Sequence, residues 1–139
     1  MKCRAAKRIL VADDYEPARE LLCKVLSQQG YQTSQARDGT EAYAMAHLIG
    51  PDVILLDVNM PGMDGYTALE QMKSHPQTDK IPVVILSGLD WSYERKQALE
   101  LGAFAYLPKP IRVDELALEL QRALHMKGCR NSHQLASSA

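Results

Sequence analysis

Short, almost wholly apolar runs alternate along the chain with longer segments of helical period. The runs Arg8 to Ala12, Val53 to Leu56 and Val83 to Leu86, with a weaker one from Phe104 to Leu107, lack the in-out alternation of a half-exposed sheet. They therefore read as strands covered on both faces. Tyr31 to Ala36 is more polar and suits an edge strand. Between the runs, Ala18, Leu21, Leu22, Val25 and Leu26 keep the three-and-four spacing of one helix face, with Gly30 as a stop signal beyond them. A second stripe, Ala42, Met45, Ala46 and Ile49, follows Asp38-Gly39-Thr40, where Asp or Thr caps a helix start, and Gly50-Pro51 ends it. A third helix is expected after Asp64-Gly65, turning Ala68, Leu69 and Met72 inward until His75-Pro76 breaks it. A fourth is expected near Ser92 to Leu101, and a fifth carries Val113, Leu116, Ala117, Leu120, Ala123 and Leu124 toward Lys127-Gly128. Five strand-helix units in alternation predict an α/β domain, one doubly wound parallel sheet with helices on both faces.

Length and composition narrow this without redirecting it. A chain of 139 residues fits one domain, expected over 7–127, with a short extension at 1–6 and a polar tail at 128–139 that contains a single Leu. The 46% hydrophobic and 24% charged content excludes a disordered or collagen-like chain. Sixteen basic and seventeen acidic residues leave a net charge of -1, so no overall field attracts nucleic acid or an anionic membrane. Asp13-Asp14 cuts off the apolar run behind Lys2, Arg4, Lys7 and Arg8, so no export signal is read, and no apolar stretch approaches the roughly 20 residues that cross a bilayer. Cys3, Cys23 and Cys129 are an odd, scattered set without a CxxC pair, which favours a reducing compartment; the expected location is the cytoplasm.

In a doubly wound sheet, sites form at the carboxyl ends of the strands. There Asp13-Asp14 closes the first strand, Asp57 the third, Ser87-Gly88 the fourth and Lys109 the fifth. Carboxylates brought that close repel by about 4 kcal/mol per pair at roughly 4 Å and an effective dielectric near 20. A hard divalent cation offsets the repulsion, and Mg2+ is the natural choice for oxygen ligands shared with phosphate. A carboxylate nucleophile, a metal, an ammonium and a hydroxyl are the parts of phosphoryl transfer to an aspartate. Asp57 stands alone at the end of the central run and is the nucleophile candidate, whereas the adjacent Asp13 and Asp14 suit a metal clamp.

Asp13-Asp14, the run Asp57-Val58-Asn59-Met60-Pro61-Gly62-Met63-Asp64-Gly65, Ser87-Gly88 and Lys109-Pro110 together resemble the receiver domain of two-component response regulators. Five separated elements in the right order, each at a predicted strand end, make the resemblance specific over about residues 7 to 126. It implies the CheY-like, flavodoxin-like fold with strand order 2-1-3-4-5. It also implies that Asp57 accepts phosphate from a sensor histidine kinase or histidine phosphotransfer protein, in a phosphorelay. The implied Mg2+ ligands are Asp13, Asp14, Asp57 and the main-chain carbonyl of Asn59, while Lys109 and Ser87 contact the phosphoryl group. Ser87 and Tyr106 would form the switch, Tyr106 moving inward behind the Ser87 hydroxyl, with Gly88 and a cis Pro110 as structural residues at the site. The chain would then be a signalling phosphoacceptor and not an enzyme acting on outside substrates. Its output would be an unidentified downstream protein reached through the fourth helix, fifth strand and fifth helix, with no nucleic acid or membrane contact and with phosphorylation-dependent dimerisation left open. Ser87 stands where Thr is commoner, and Asn59 and Leu89 occupy positions expected to affect acyl-phosphate lifetime.

Other readings weigh less. An FMN carrier of flavodoxin type needs a hydroxyl- and glycine-rich loop after the first strand, and Asp13-Asp14-Tyr15-Glu16 is acidic. A haloacid-dehalogenase-type phosphatase puts its nucleophile in a DxD motif after the first strand of its core, unlike Asp57-Val58-Asn59. A phosphate-independent receiver-like interaction module, and a receiver fragment of a larger regulator or hybrid kinase, stay open. His47, His75, His125 and His133 show no ligand spacing, Asp64-Gly65 reads as a cap and turn, Cys23 reads as a packing residue, and Trp91 reads as packing first and a partner contact second.

Overall fold

A computed structural model describes residues 6–58, 65–88 and 92–125. The elements run β1 (Arg8–Ala12), α1 (Glu16–Gln28), β2 (Gln32–Ala36), α2 (Gly39–Ile49), β3 (Val53–Asp57), α3 (Gly65–Lys73), β4 (Val83–Ser87), α4 (Ser92–Glu100), β5 (Ala105–Pro108) and α5 (Val113–Leu124). All strand pairs are parallel, in the order β2-β1-β3-β4-β5. The expected α/β sheet and its strand order are what is found. β2 is the edge strand that its polar sequence suggested, with Thr33, Ser34 and Gln35 only partly covered or exposed.

The buried strands split their side chains between two apolar clusters, as the two-residue period of a strand requires. Leu10, Ala12, Ile54, Leu56, Val83 and Ile85 meet α2 and α3 on one face, together with Ala98 of α4. Ile9, Val11, Val53, Leu55, Val84 and Leu86 meet α1 and α5 on the other. α3 turns Ala68, Leu69 and Met72 fully inward. α2 is capped by Asp38, whose carboxylate accepts from the Glu41 N–H at 2.8 Å, and it ends on Gly50 at φ 55°, a left-handed conformation that favours glycine.

α1 departs from expectation. Leu21 is exposed, and the buried residues of the helix are Arg19, Cys23 and Leu26, so the inward face is rotated from the stripe of Ala18, Leu21, Leu22, Val25 and Leu26. The physical reason is Arg19, whose cation is held by polar groups beneath the helix. Cys23 packs as the small apolar residue it was expected to be, and burial pushes its thiol pKa up. In α5 the stripe holds at Leu116, Leu120, Ala123 and Leu124, while Val113 is exposed. No helix among the described residues is long and apolar enough to cross a membrane.

Candidate functional site

The parallel register carries the chemistry to one edge. Ala12, the last residue of β1, pairs with Leu56, one residue short of Asp57. Asp57 pairs with Leu86, one short of Ser87, and Ser87 pairs with Pro108, one short of Lys109. The stagger places Asp13, Asp57, Ser87 and Lys109 side by side at the carboxyl ends of four neighbouring strands. One carboxylate oxygen from each of Asp13, Asp14 and Asp57 lies within 4.8 Å of the others. Among the described residues no other group of three or more His, Cys, Asp or Glu side chains converges in this way.

Asp13 and Asp57 are buried and Asp14 is exposed, so the cluster opens to solvent on one side. Lys109 Nζ reaches in to 3.2 Å from Asp57 Oδ1 and 3.7 Å from Asp13 Oδ2. The Lys109–Pro110 peptide is cis, and the Lys109 N–H donates to the Ser87 carbonyl at 2.6 Å. Ser87 is fully buried. Tyr106 of β5 pairs with Ile85 of β4, and its ring is already packed inward, in the cluster with Ile85, Ala98 and Ala103. Asn59, Asp64, Leu89 and Trp91 lie outside the described residues, as do Cys3, Cys129 and His133.

The donor set fits a hard cation. It consists of carboxylates with no imidazole or thiolate, the ligands that Mg2+ favours. Asp13 supplies the sharper sign. Its Oδ1 accepts from the Tyr15 N–H at 2.9 Å, whereas its buried Oδ2 has no hydrogen-bond partner. A buried carboxylate oxygen is not left so without cost, and this one lies beside the Lys109 ammonium in the three-carboxylate cluster. Three negative charges against one ammonium leave the cluster able to take a divalent ion.

The family model of the response regulator receiver domain matches residues 9–121. The chain belongs to this family. Response regulator PleD of Caulobacter vibrioides is 50% identical over 104 residues, which are 75% of this chain and 23% of PleD. The signal receiver domain of a signal transduction histidine kinase from Syntrophus aciditrophicus superposes with a TM-score of 0.81 at 36% identity, over 88% of this chain and 93% of that one. Chemotaxis protein CheY4 of Vibrio cholerae does so with a TM-score of 0.81 at 32% identity, over 86% of this chain and 100% of that one. The chain spans 23% to 50% of the length of such curated relatives of full size.

Two residues of this receiver domain lie against the main chain of the acidic edge without having been singled out for it. Gly65 opens α3 against the main chain of Asp57 and Val58; a Cβ there would lie 2.5 Å from the Asp57 carbonyl oxygen and 2.6 Å from Val58 Cα. Neither atom can yield without moving the strand end, so glycine at 65 lets α3 start against β3 with the backbone of Asp57 undisturbed. Its sequence reading as part of a turn missed this, because the contact exists only once α3 has packed on β3. Gly88, by contrast, has open space around its Cα among the described residues. The second residue is Arg19, whose one sequence signal was a charged side chain in phase with Cys23 and Leu26. Among the described residues the histidines stay out of the site: His47 and His75 meet each other edge to face at 4.3 Å, and His125 is exposed at the end of α5.

Proposed function

We propose that this receiver domain takes a phosphoryl group onto Asp57 from a phosphohistidine donor on a sensor histidine kinase or a histidine phosphotransfer protein, and controls a downstream protein through the resulting change of conformation. The observation that carries the reading is the Lys109 ammonium lodged between the carboxylates of Asp57 and Asp13, at 3.2 and 3.7 Å. An Asp57 carboxylate oxygen attacks phosphorus, the bond from phosphorus to the donor imidazole nitrogen breaks, and Lys109 balances charge gathering on the transferred oxygens. Asp13, Asp14, Asp57 and the main-chain carbonyl of Asn59 would hold Mg2+, which supplies neutralising charge for phosphoryl oxygens when bound.

A phosphoryl group adds about -1.5 to -2 charge and strong acceptor oxygens, so it recruits donors. Ser87 and Lys109 are the donors at hand. Moving a population from 1:99 to 99:1 takes about 5.5 kcal/mol of differential stabilisation, a demand that two or three charge-assisted hydrogen bonds come close to meeting. Ser87 and Tyr106 relay the change to the face made by α4, β5 and α5, where a groove of about 540 Å³ is lined by Leu99, Tyr106, Leu118 and Arg122. The phosphoacceptor acts on itself and not on outside substrates, works in the cytoplasm, and meets protein partners rather than nucleic acid. Of the expected domain at 7–127, residues 59–64, 89–91, 126 and 127 lie outside the described residues, as do residues 1–5 of the extension and the whole of the expected tail at 128–139.

The test is intact mass after brief exposure to Mg2+ and a small-molecule phosphodonor, quenched in acid. One phosphoryl adduct on the wild type and none on Asp57→Asn is expected. If the wild type takes no adduct and binds no beryllium fluoride, the phosphate-independent interaction module replaces this reading.

A further inference from the structure

We infer that Arg19 is a positioning residue for metal binding, acting through the main chain of Asp13. The inference rests on the reading of the acidic edge as a cation site. Arg19 lies on the first turns of α1 and is only 7% exposed. Its Nη1 donates to the Asp13 carbonyl at 2.8 Å, and its Nε donates to Gln35 Oε1 on β2 at 2.7 Å. No carboxylate among the described residues pairs with it within 4 Å. A buried guanidinium without an ionic partner is costly. Its hydrogen bonds go to one peptide group and one orienting side chain.

The peptide group is the one that follows a cluster carboxylate. The Asp13 N–H donates to the Ala36 carbonyl at 3.1 Å, its carbonyl accepts from Arg19, and Oδ1 accepts from the Tyr15 N–H. Each polar atom of Asp13 but one is thereby tied to a fixed partner, and the remaining one is Oδ2, the buried oxygen beside Lys109. Arg19 and Ala36 grip the residue from its two main-chain ends, and with Oδ1 taken by the Tyr15 N–H the fixed backbone leaves Oδ2 on the cluster side. Gln35 in turn holds the guanidinium plane. A ligand oxygen fixed in advance costs less ordering when a cation binds, and groups that orient ligands commonly shift metal affinity by about 10–100-fold.

The same cation also sits close to an acidic cluster, and the two possible effects have opposite signs. If Arg19 acted as a counter-charge, its loss would strengthen binding of a second cation. If it acts by holding the Asp13 peptide, its loss weakens binding. Titration calorimetry with Mg2+ alone separates them in the full chain. Arg19→Gln is expected to bind Mg2+ about tenfold more weakly than wild type. Arg19→Lys keeps the charge but not the planar two-donor fork, and is expected to fall nearer to Arg19→Gln than to wild type. Gln35→Leu changes an exposed position and is expected to lose a few-fold. At saturating Mg2+ the rate of adduct formation should return to within about twofold of wild type in each variant, which a general loosening of the fold would not allow.

Affinity equal to wild type in Arg19→Gln, or tighter, overturns the inference. If Arg19→Gln does not fold, Gln35→Leu decides: unchanged affinity there overturns it. Wild type that binds no Mg2+ is a separate outcome, which removes the cation reading itself and the inference with it.

Discussion

Helices α1 and α5 cover the same face of the sheet and share one apolar cluster, yet they are built to different ends. Each follows a strand end that carries a charged residue of the acidic edge, Asp13 before α1 and Lys109 before α5. α5 opens with Val113, Asp114 and Glu115 in solvent and closes over the core with Leu116, Leu120, Ala123 and Leu124. α1 gives up its first inward position to Arg19 and leaves Leu21 exposed at 62%. One helix spends its inward face on the core, whereas the other divides it between the core and the peptide that carries Asp13. The site is thus supported from below by a helix whose hydrophobic pattern is weakened by that duty.

The largest effect of breaking this contrast belongs to the core of α5. Leu120→Ala is expected to cost about 2–5 kcal/mol of unfolding free energy in urea melts, because the side chain is fully buried. The Mg2+ affinity of the folded molecules should stay within about twofold. A loss below about 1 kcal/mol would deny α5 its role. Arg19→Leu in α1 comes next: it leaves the Asp13 carbonyl without its donor and is expected to cost about 1–3 kcal/mol. Equal or greater stability than wild type would show that the cation adds nothing to folding.

A smaller effect reads the burial of α1 directly. Burial pushes the Cys23 thiol pKa up, since the apolar surroundings disfavour the thiolate. Labelling by a thiol reagent at neutral pH, followed peptide by peptide, should be slow at Cys23 and should quicken with urea. Immediate labelling in native buffer would place Cys23 on an open face. Leu21→Ser, on the exposed side of the same helix, is expected to change stability by less than about 0.5 kcal/mol. A loss above 1 kcal/mol would mean that α1 is rotated from the arrangement described.

The same two helices show what can be read from a chain before it is folded. α3, and α5 beyond its first residue Val113, were legible because their inward positions are apolar without interruption, as at Ala68, Leu69 and Met72. The acidic edge was legible because polar residues closing apolar runs must gather once the strands are parallel. The phase of α1 was not legible, since an arginine bound for a buried carbonyl looks in sequence like one bound for water. Gly65 hides likewise behind an ordinary turn reading: the main-chain atoms it must clear belong to β3. The edge-to-face contact of His47 with His75 joins α2 to the loop after α3, and no local spacing announces it.

In the proposed function Asp57 accepts the phosphoryl group, whereas Asp13 and Asp14 do not. An aspartyl phosphate can be reduced by borohydride, which leaves homoserine where the acyl phosphate stood. Wild-type protein would be treated with Mg2+ and a small-molecule phosphodonor, trapped in this way, digested and read by tandem mass spectrometry. Homoserine is expected at position 57 alone; homoserine at 13 or 14, or at none of the three positions, would rule out Asp57 as the sole acceptor.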